Sequence, residues 1–356
     1  MKATDPRFLP LCAAIGFIAC ALGLWINAKT MLASYLSVWI AIGAIPIGAL
    51  AVLQISYLVK AGWTRDLHPP LTGAALTIPA TGLLFIPVLL GMAEIYPWAS
   101  GHEALPAFKA AYLTPWFFAL RAVIYFTIWT ALTVWAVRSY GNGPPMIRAA
   151  SGGLIVWALT VSWAGIDWLE SLEPHFHSSI YGLLAISFDL LGGLAFGITV
   201  VLALSRSHRM ANASYGAVLL STILLWAYLH AMQYIIIWTG NIPEEVVWYL
   251  ERLAGGWGVA LWAMFIGQFF LPFFALLPEA WRSSRIILLW LAGATLACRL
   301  LEAIVLVLPP LHVNGFAALL DLPAAFVAIG ASWLLAWRAV GALEEWLRSG
   351  RTAAAR

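Results

Sequence analysis

Residues 149–204 read AASGGLIVWALTVSWAGIDWLESLEPHFHSSIYGLLAISFDLLGGLAFGITVVLAL, and this segment decides the fold. It consists of two apolar runs, 149–168 and 179–204, separated by a turn rich in ionisable side chains. A helix needs about 20 mostly apolar residues to cross about 30 Å of hydrocarbon, and both runs reach this length. The segment therefore predicts two membrane-spanning helices joined by an acidic turn that Pro174 stiffens.

The composition of the whole chain agrees with a membrane protein. Of its 356 residues, 63% are hydrophobic and only 10% are charged, against about 45–50% and about 25% in soluble domains. Ten runs have the length and apolarity of a span: 8–26, 32–58, 71–93, 114–137, 149–168, 179–204, 213–239, 253–277, 286–308 and 315–337. The sequence predicts an all-α polytopic membrane protein with a single domain over 1–356. The net charge of +3, spread over short loops, gives no indication of nucleic-acid binding.

The basic residues segregate when ten helices are threaded through a bilayer. One side receives Lys2, Arg7, Lys60, Arg65, Arg138, Arg148, Arg206, Arg209, Arg282, Arg285, Arg338, Arg348, Arg351 and Arg356. The loops of the other side hold Lys29, Lys109 and Arg252. Because basic loops stay in the cytoplasm, we expect both termini there, in a bacterial inner membrane. The acidic turn then faces the periplasm.

The order of the spans indicates an internal duplication. Spans two to five and six to nine would each form a bundle of four helices, with spans one and ten at the periphery. Spans five and nine both end in an acidic segment followed by a proline, Pro174 and Pro309. The third and ninth runs are the most interrupted by polar residues or proline. In the sixth run, Gly193 and Gly197 have the small-xxx-small spacing that favours close helix packing.

Six ionisable residues within the predicted spans are candidates for proton transfer. Charges at membrane depth are costly and usually face the protein interior or water. The six are Arg121, Asp189, His230, Arg299, Glu302 and Asp321. A rise of about 1.5 Å per residue places Asp189 near mid-membrane and the others in the outer half. A relay would run from Asp189 outward through His230 and the Arg/Glu set.

Structural roles for these residues remain as alternatives. Arg299 and Glu302 are three residues apart, so they share a helix face and can pair with each other. A carboxyl at the depth of Asp189 is either neutral or paired with a cation, and Arg121 is one such partner. His230 is either a hydrogen-bonded helix contact or a relay or quinone-headgroup ligand.

The second set of candidate residues lies on the predicted outer surface. It comprises Asp167, Glu170, Glu173, His175 and His177 in the first acidic turn, and Asn241, Glu244 and Glu245 in a second turn. Two interpretations stay open: a salt-bridged turn that caps the spans, or a surface for docking a partner or releasing protons. A metal site at His175 and His177 is disfavoured by the adjacent Pro174, so we predict no metal.

Cofactor ligands are not indicated by the sequence. The three cysteines, Cys12, Cys20 and Cys298, lie in apolar runs without any CxxC or CxxCH motif, which excludes the usual patterns for covalent haem and iron–sulfur clusters. His230 is alone among histidines in lying within a span, whereas a bis-histidine haem needs two that face each other. We therefore expect this chain to bind no cofactor.

Three segments resemble a known family. They are 167–175 continued by 178–182, 233–245, and 84–87 followed by 96–98. Their residues and spacing are similar to the F subunit of bacterial alternative complex III, over nearly the whole chain. Glu170, Phe176 and His177 depart from the family, which usually has Met, Trp and an aromatic residue there.

The resemblance implies a ten-helix NrfD-like fold and membership of a quinol-oxidising respiratory complex. Its partners would be a sister NrfD-like membrane subunit, a periplasmic iron–sulfur subunit and multihaem cytochromes c, with quinol as the substrate of the complex. The family's F subunit carries no redox cofactor and is not catalytic alone, and it is proposed to assist proton movement. Two alternatives remain: a quinol-binding anchor of a molybdoenzyme of the polysulfide-reductase type, and a stand-alone transporter.

Overall fold

A computed structural model describes residues 7–59, 61–101, 105–204, 209–313 and 315–354, with the backbone alone at 209–210 and 343–354. Several basic residues used for the topology lie outside the described residues or lack a described side chain: Lys2, Lys60, Arg206, Arg209, Arg348, Arg351 and Arg356. The remaining basic residues lie within the described part.

Every regular element in the described ranges is helical, which confirms the all-α prediction. The α-helices are α1 Phe8–Leu58, α2 Thr64–Ala75, α3 Ile78–Leu83, α4 Ile86–Leu90, α5 Met92–Ile95, α6 Ala107–Tyr112, α7 Pro115–Ser139, α8 Pro144–Trp168, α9 Tyr181–Leu204, α10 Arg209–Gly240, α11 Pro243–Leu253, α12 Trp257–Phe265, α13 Leu271–Leu276, α14 Glu279–Arg282, α15 Arg285–Val307 and α16 Gly315–Ala354. Short 3-10 helices cover Pro97–Ser100 and Glu170–Leu172, and a π-helix covers Ile266–Phe270.

The first helix is in fact a hairpin of two spans. Nine helical stretches of the described chain are long and apolar enough to cross a membrane, and α1 is one of them at 51 residues. Its backbone breaks at Asn27 (φ −154°, ψ 94°), whose Oδ1 accepts the N–H of Thr30 at 3.1 Å and so caps the second part. A Cβ at Gly23 would lie 2.7 Å from Met31 Sδ, although eight residues of straight helix span about 12 Å. The chain therefore folds back at Asn27, and residues 8–26 and 28–58 match the first two predicted spans.

The third and eighth spans are irregular. The third is divided into α2, α3 and α4, with Pro79 and Pro87 in the first turns of the later two, since proline has no N–H to continue a helix. The eighth contains the π-helix between α12 and α13, and π-helical turns are frequent at functional sites. The sequence analysis did not predict this π-helix. The ninth span, α15, is one continuous helix despite its polar residues.

The two halves of the chain meet where residues 28–58 of α1 cross α9. A Cβ at Gly48 would overlap the carbonyl oxygen of Asp189, and a Cβ at Gly193 would overlap the backbone of Ala49. The two backbones are therefore in direct contact, as the spacing of the glycines in α9 predicted. Gly197, the other member of that pair, packs against Leu71, 3.1 Å from the position of a Cβ.

The other spans pack around this crossing. Helix α1 contacts α2, α8, α9, α15 and α16. Helices α7 and α8 pack against each other on one side, and α9 packs with α10 and α15 on the other. Helix α16 packs along α1, so the first and tenth spans lie together at the periphery. The internal duplication stays a prediction.

One face of the bundle collects the turns that the sequence predicts on the outer side. A groove of about 430 Å³ is lined by residues from all five of these turns. Its lining includes Lys29, Glu94, Glu173, Glu251 and His312. We call this groove the outer groove and the face that carries it the acidic face. The shared groove agrees with the alternating path of the chain, and the orientation of the face in a membrane stays a prediction.

Candidate functional site

The first buried ion pair, which we call the Asp167 cluster, joins α7 to the end of α8. Arg121 donates from Nε to Asp167 Oδ2 at 2.8 Å and from Nη2 to Oδ1 at 2.9 Å. Tyr125 adds a hydrogen bond from its hydroxyl to Oδ2 at 2.7 Å, and the third guanidinium nitrogen of Arg121 donates to the carbonyl of Tyr112 at 2.9 Å. Only 1% of Asp167 is exposed. Both partners are fully hydrogen-bonded, which is what a buried ion pair requires.

Aromatic rings enclose the Asp167 cluster. The Arg121 guanidinium lies 3.8 Å from the ring centroid of Tyr112, and the ring of Trp168 packs against Trp39 and Phe126 at centroid distances of 5.1 and 5.8 Å. The expectation that Arg121 pairs with Asp189 is wrong, because Asp167 takes up its guanidinium. The cluster therefore has a structural role and holds α7 against α8.

The second buried group, which we call the Glu302 cluster, joins α10 to α15. Glu302 Oε2 lies 2.6 Å from Arg299 Nη1, so the predicted pair one turn apart is present. Trp226 Nε1 donates to both carboxylate oxygens at 3.1 Å. His230 Nε2 lies 3.1 Å from Oε1, and because an ionised carboxylate only accepts hydrogen bonds, this nitrogen carries the hydrogen. The structure thus brings together three of the predicted relay residues.

Arg299 is held less completely than Arg121. Only 1% of it is exposed, yet Nε, Nη1 and Nη2 have no aligned hydrogen-bond partner among the described atoms. The contact with Glu302 is an ion pair without hydrogen-bond alignment. The guanidinium lies 5.0 Å from the Phe188 ring and 5.2 Å from the Trp226 ring. Buried donors of this kind are usually satisfied by ordered water.

A narrow space, which we call the inner cavity, adjoins the Glu302 cluster. Asp189, His230 and Glu302 line it together with apolar and aromatic side chains of α1, α8, α9 and α11. It offers about 40 Å³ to the centres of water molecules, whereas one water needs about 10–15 Å³ on this measure. The cavity therefore has room for about three waters. Asp189 also interacts electrostatically with Arg299, so it belongs to the same site.

A third ion pair lies at the acidic face, next to the outer groove. Arg252 donates from Nη2 to Glu173 Oε2 at 2.7 Å and from Nη1 to Oε1 at 3.3 Å. Arg252 is 1% exposed, although the sequence placed it in an outer loop. It lies in α11, an amphipathic helix that the sequence analysis treated as part of an outer loop before the eighth span. The helical spacing of apolar residues along 243–253 was the available signal.

Glu251, beside this pair, interacts with Glu173. Burial raises the pKa of the Glu251 carboxyl, and the neighbouring charge of Glu173 raises it further. Two carboxyl groups in contact favour keeping one proton between them. The outer groove thus carries a pair of acids suited to holding a proton at its inner wall.

Lys109 links Glu170 to His177. Its Nζ lies 3.0 Å from His177 Nδ1 and interacts with Glu170. It also donates to the carbonyl of Pro174. Burial lowers the pKa of the Lys109 ammonium, while Glu170 acts in the opposite direction. Glu170 Oε1 accepts the N–H of Ser178 at 3.3 Å, so these side chains order the turn.

The other predicted site residues lie apart from the buried clusters. His175 is exposed, and Asn241 adopts the left-handed conformation (φ 47°) that ends α10. Glu244 and Glu245 occupy the first turn of α11, where the helix dipole favours negative charge. Asp321, in α16, faces Gly23 of the first span, with Oδ1 3.0 Å from the position of a Cβ there. It belongs to the periphery and not to the Glu302 cluster.

Over the described ranges, no group of three His, Cys, Asp or Glu residues is placed to hold a metal ion. No family model matches the chain, and no curated protein matches it. The resemblance to the F subunit of alternative complex III therefore stays a prediction.

Proposed function

We propose that this chain is a membrane subunit of a quinol-oxidising respiratory complex of the alternative complex III type, and that its own task is proton transfer. The Glu302 cluster would carry the proton, Asp189 would exchange it near mid-membrane, and the electron-transfer cofactors would reside on partner subunits. The proposed partners are a sister NrfD-like membrane subunit, a periplasmic iron–sulfur subunit and multihaem cytochromes c in a bacterial inner membrane.

The observation that carries this proposal is the incompletely satisfied Glu302 cluster beside the inner cavity. A group that transfers protons needs a titratable partner and a path of hydrogen bonds to the next group. Glu302 has His230 at 3.1 Å, and the adjoining space reaches Asp189. Waters in that space would connect the two carboxyl groups. The motifs at 167–175 and 233–245 support the choice of complex.

The dimensions of the inner cavity favour water over a quinone in this chain. Pockets that bind small organic ligands usually have volumes of about 300–1,000 Å³. The inner cavity has a volume of only about 40 Å³. A quinone headgroup would need displacement of the aromatic walls formed by Trp39, Trp168 and Tyr181.

Purification from the native membrane after mild crosslinking tests the membership of a complex. The protein should be recovered with subunits that show haem and iron–sulfur spectra. Recovery as a lone protein, under conditions that preserve other respiratory complexes, would overturn this part of the proposal.

The proton-transfer role is tested by Asp189→Asn in the assembled complex. The amide keeps the size of the side chain and removes its proton-carrying capacity. We expect intact assembly with impaired proton coupling during quinol turnover. Unchanged coupling would reduce Asp189 to a structural residue.

A second candidate function is a quinol-binding anchor for a molybdoenzyme of the polysulfide-reductase type. The aromatic lining of the inner cavity and the position of His230 favour it. A photoreactive quinone analogue should then label residues near His230 and Glu302. Labelling confined to a sister subunit would exclude this alternative.

A stand-alone transporter, the remaining alternative, would have broken helices that meet at mid-membrane. The third span is broken, yet its segments pack on α1 and α7, while the π-helix packs on α10 and α15. Uptake of a solute other than protons by the purified chain in proteoliposomes would favour this alternative, and we expect no such uptake.

A further inference from the structure

We propose that the Glu173–Arg252 ion pair is a seal between the inner cavity and the outer groove, which opens when the pair separates. The role of this seal as a gate for protons rests on the proposed function, whereas the seal itself depends only on the packing of the acidic face.

The two spaces approach each other from opposite sides of α11. Trp248, on α11, lines the inner cavity with Leu306 of α15. Glu173, Phe176 and Glu251 line the outer groove. The ring of Phe176 stacks on the ring of Trp248 at a centroid distance of 5.6 Å. The stacked rings of Phe176 and Trp248 therefore separate the two spaces.

Arg252 holds this layer in place. Its Nη1 donates to the carbonyl of Trp248 at 2.9 Å, and its Nη2 donates to the carbonyl of Leu306 at 3.0 Å. Its guanidinium also stacks over the Trp248 ring, 3.9 Å from the centroid. The same guanidinium thus fixes both cavity-lining residues and is itself fixed by Glu173.

Glu173 is the partner whose loss would release Arg252. Its carboxylate belongs to a turn, accepts two charge-assisted hydrogen bonds from Arg252, and faces the outer groove. The charged or titratable groups that interact with it are Arg252 and Glu251 of α11 and Tyr181 of α9, and His312 of the turn before α16 interacts with Glu251 in the same groove. Tyr181 interacts electrostatically with both Glu173 and Glu302 and lines the inner cavity.

These contacts define a short route across the seal. Glu302 lies one helical turn before Leu306 on α15. The Glu302 cluster is therefore one turn away from the carbonyl that Arg252 binds. Separation of the Glu173 carboxylate from Arg252 would remove the contact that holds the guanidinium. The guanidinium would then be free to turn away, and the inner cavity would open to the groove.

Access of a small ion to the inner cavity tests the seal. The full-length protein, with Cys12, Cys20 and Cys298 replaced by alanine, would carry Leu184→Cys as a reporter, since Leu184 lines the inner cavity. Silver ion is added, and the remaining thiol is counted with a maleimide dye after denaturation. Glu173→Gln and Arg252→Lys are compared with the matched control Glu94→Gln, an exposed acid of the same groove.

We expect silver to react about tenfold faster in Glu173→Gln, because a neutral amide loses the charge-assisted pair. Arg252→Lys should also react faster, because lysine lacks the two-pronged geometry, and it serves if Glu173→Gln fails to fold. Glu94→Gln should match the parent. Equal rates in all folded variants would overturn the seal.

Proton flux into proteoliposomes, measured on the same variants, separates the two proposals. Faster silver access with faster proton flux supports both. Faster silver access with unchanged proton flux supports the seal and overturns the proton-transfer function.

Discussion

The Asp167 cluster and the Glu302 cluster are built from the same parts in two different ways. Each has an arginine, a carboxylate and a tryptophan or tyrosine donor, and both are buried. In the Asp167 cluster the arginine reaches both carboxylate oxygens with aligned hydrogen bonds. In the Glu302 cluster the arginine lies within the same helix, touches one oxygen and keeps unmatched donors, while Glu302 itself lines a cavity.

The two clusters differ in whether a proton could enter or leave them. A fully bonded ion pair in a dry surrounding has no free position to accept or release a proton. A carboxylate held by histidine, tryptophan and an incompletely bonded arginine has such positions, and the neighbouring cavity supplies room for water. The first arrangement joins two helices, whereas the second suits chemistry, although the sequence presents both as charges in apolar runs.

The largest effect on stability is expected from removing the arginine of the Asp167 cluster. Arg121→Leu leaves the Asp167 charge buried without its partner, which costs about 3–5 kcal/mol of folding free energy. Arg299→Leu should cost less, because Glu302 keeps the donors of Trp226 and His230 and lies beside the cavity. Unfolding of the purified protein in detergent measures both. Equal losses would mean that the two clusters are held alike.

Neutralising the carboxylates should separate the clusters by function. Glu302→Gln should lower proton flux in proteoliposomes about 10²–10⁴-fold, the usual contribution of a positioned proton-transfer group. Asp167→Asn should leave the flux of correctly folded protein within about twofold, a barrier change well below 1 kcal/mol. Comparable losses in both variants would contradict the distinction between a structural and a functional cluster.

The neutral donors offer a finer comparison. Tyr125→Phe removes one hydrogen bond to a buried carboxylate, which contributes about 1.5–3 kcal/mol when no water can replace it. Trp226→Phe should destabilise the protein less, about 1 kcal/mol, because water from the inner cavity can take over the contact. The midpoints of thermal unfolding give the order, and a larger loss for Trp226→Phe would argue for a dry second cluster.

The smallest effect is expected at Asp321. This acid lies at the periphery between the first and tenth spans, so Asp321→Asn should change stability by no more than about 0.5 kcal/mol and leave proton flux unaltered. Asp189→Asn is the matched variant, with the same chemistry in the inner cavity. A flux defect in Asp321→Asn as large as that in Asp189→Asn would place the proton path elsewhere.

The sequence predicted features that depend on neighbouring residues. Span positions follow from local apolarity, and the Arg299–Glu302 pair follows from a spacing of three on one helix. The partner of Arg121 did not follow, because Asp167 lies 46 residues away and only tertiary packing brings them together. Arg252 appeared to be a loop residue, since the short amphipathic helix α11 is too polar to stand out beside a span.

The π-helix was the other feature that the sequence analysis did not predict. The π-helix at Ile266–Phe270 has an apolar sequence that also suits an ordinary helix, so composition does not distinguish them. The space near Glu302 likewise depends on side chains from six helices. The candidate residues could be proposed from the sequence, whereas their division into a clamp, a proton site and a seal required the structure.

The contact between Gly48 and Gly193 limits how the two halves can move. Two helices whose backbones touch cannot slide without separating, but they can tilt about the point of contact. The carbonyl of Asp189 lies at that point, whereas the turn at Asn27 lies 21 residues away, about 30 Å along the helix. A tilt therefore displaces the acidic face most and Asp189 least. Tilting about this crossing would leave Asp189 in place and move the surface around Glu173.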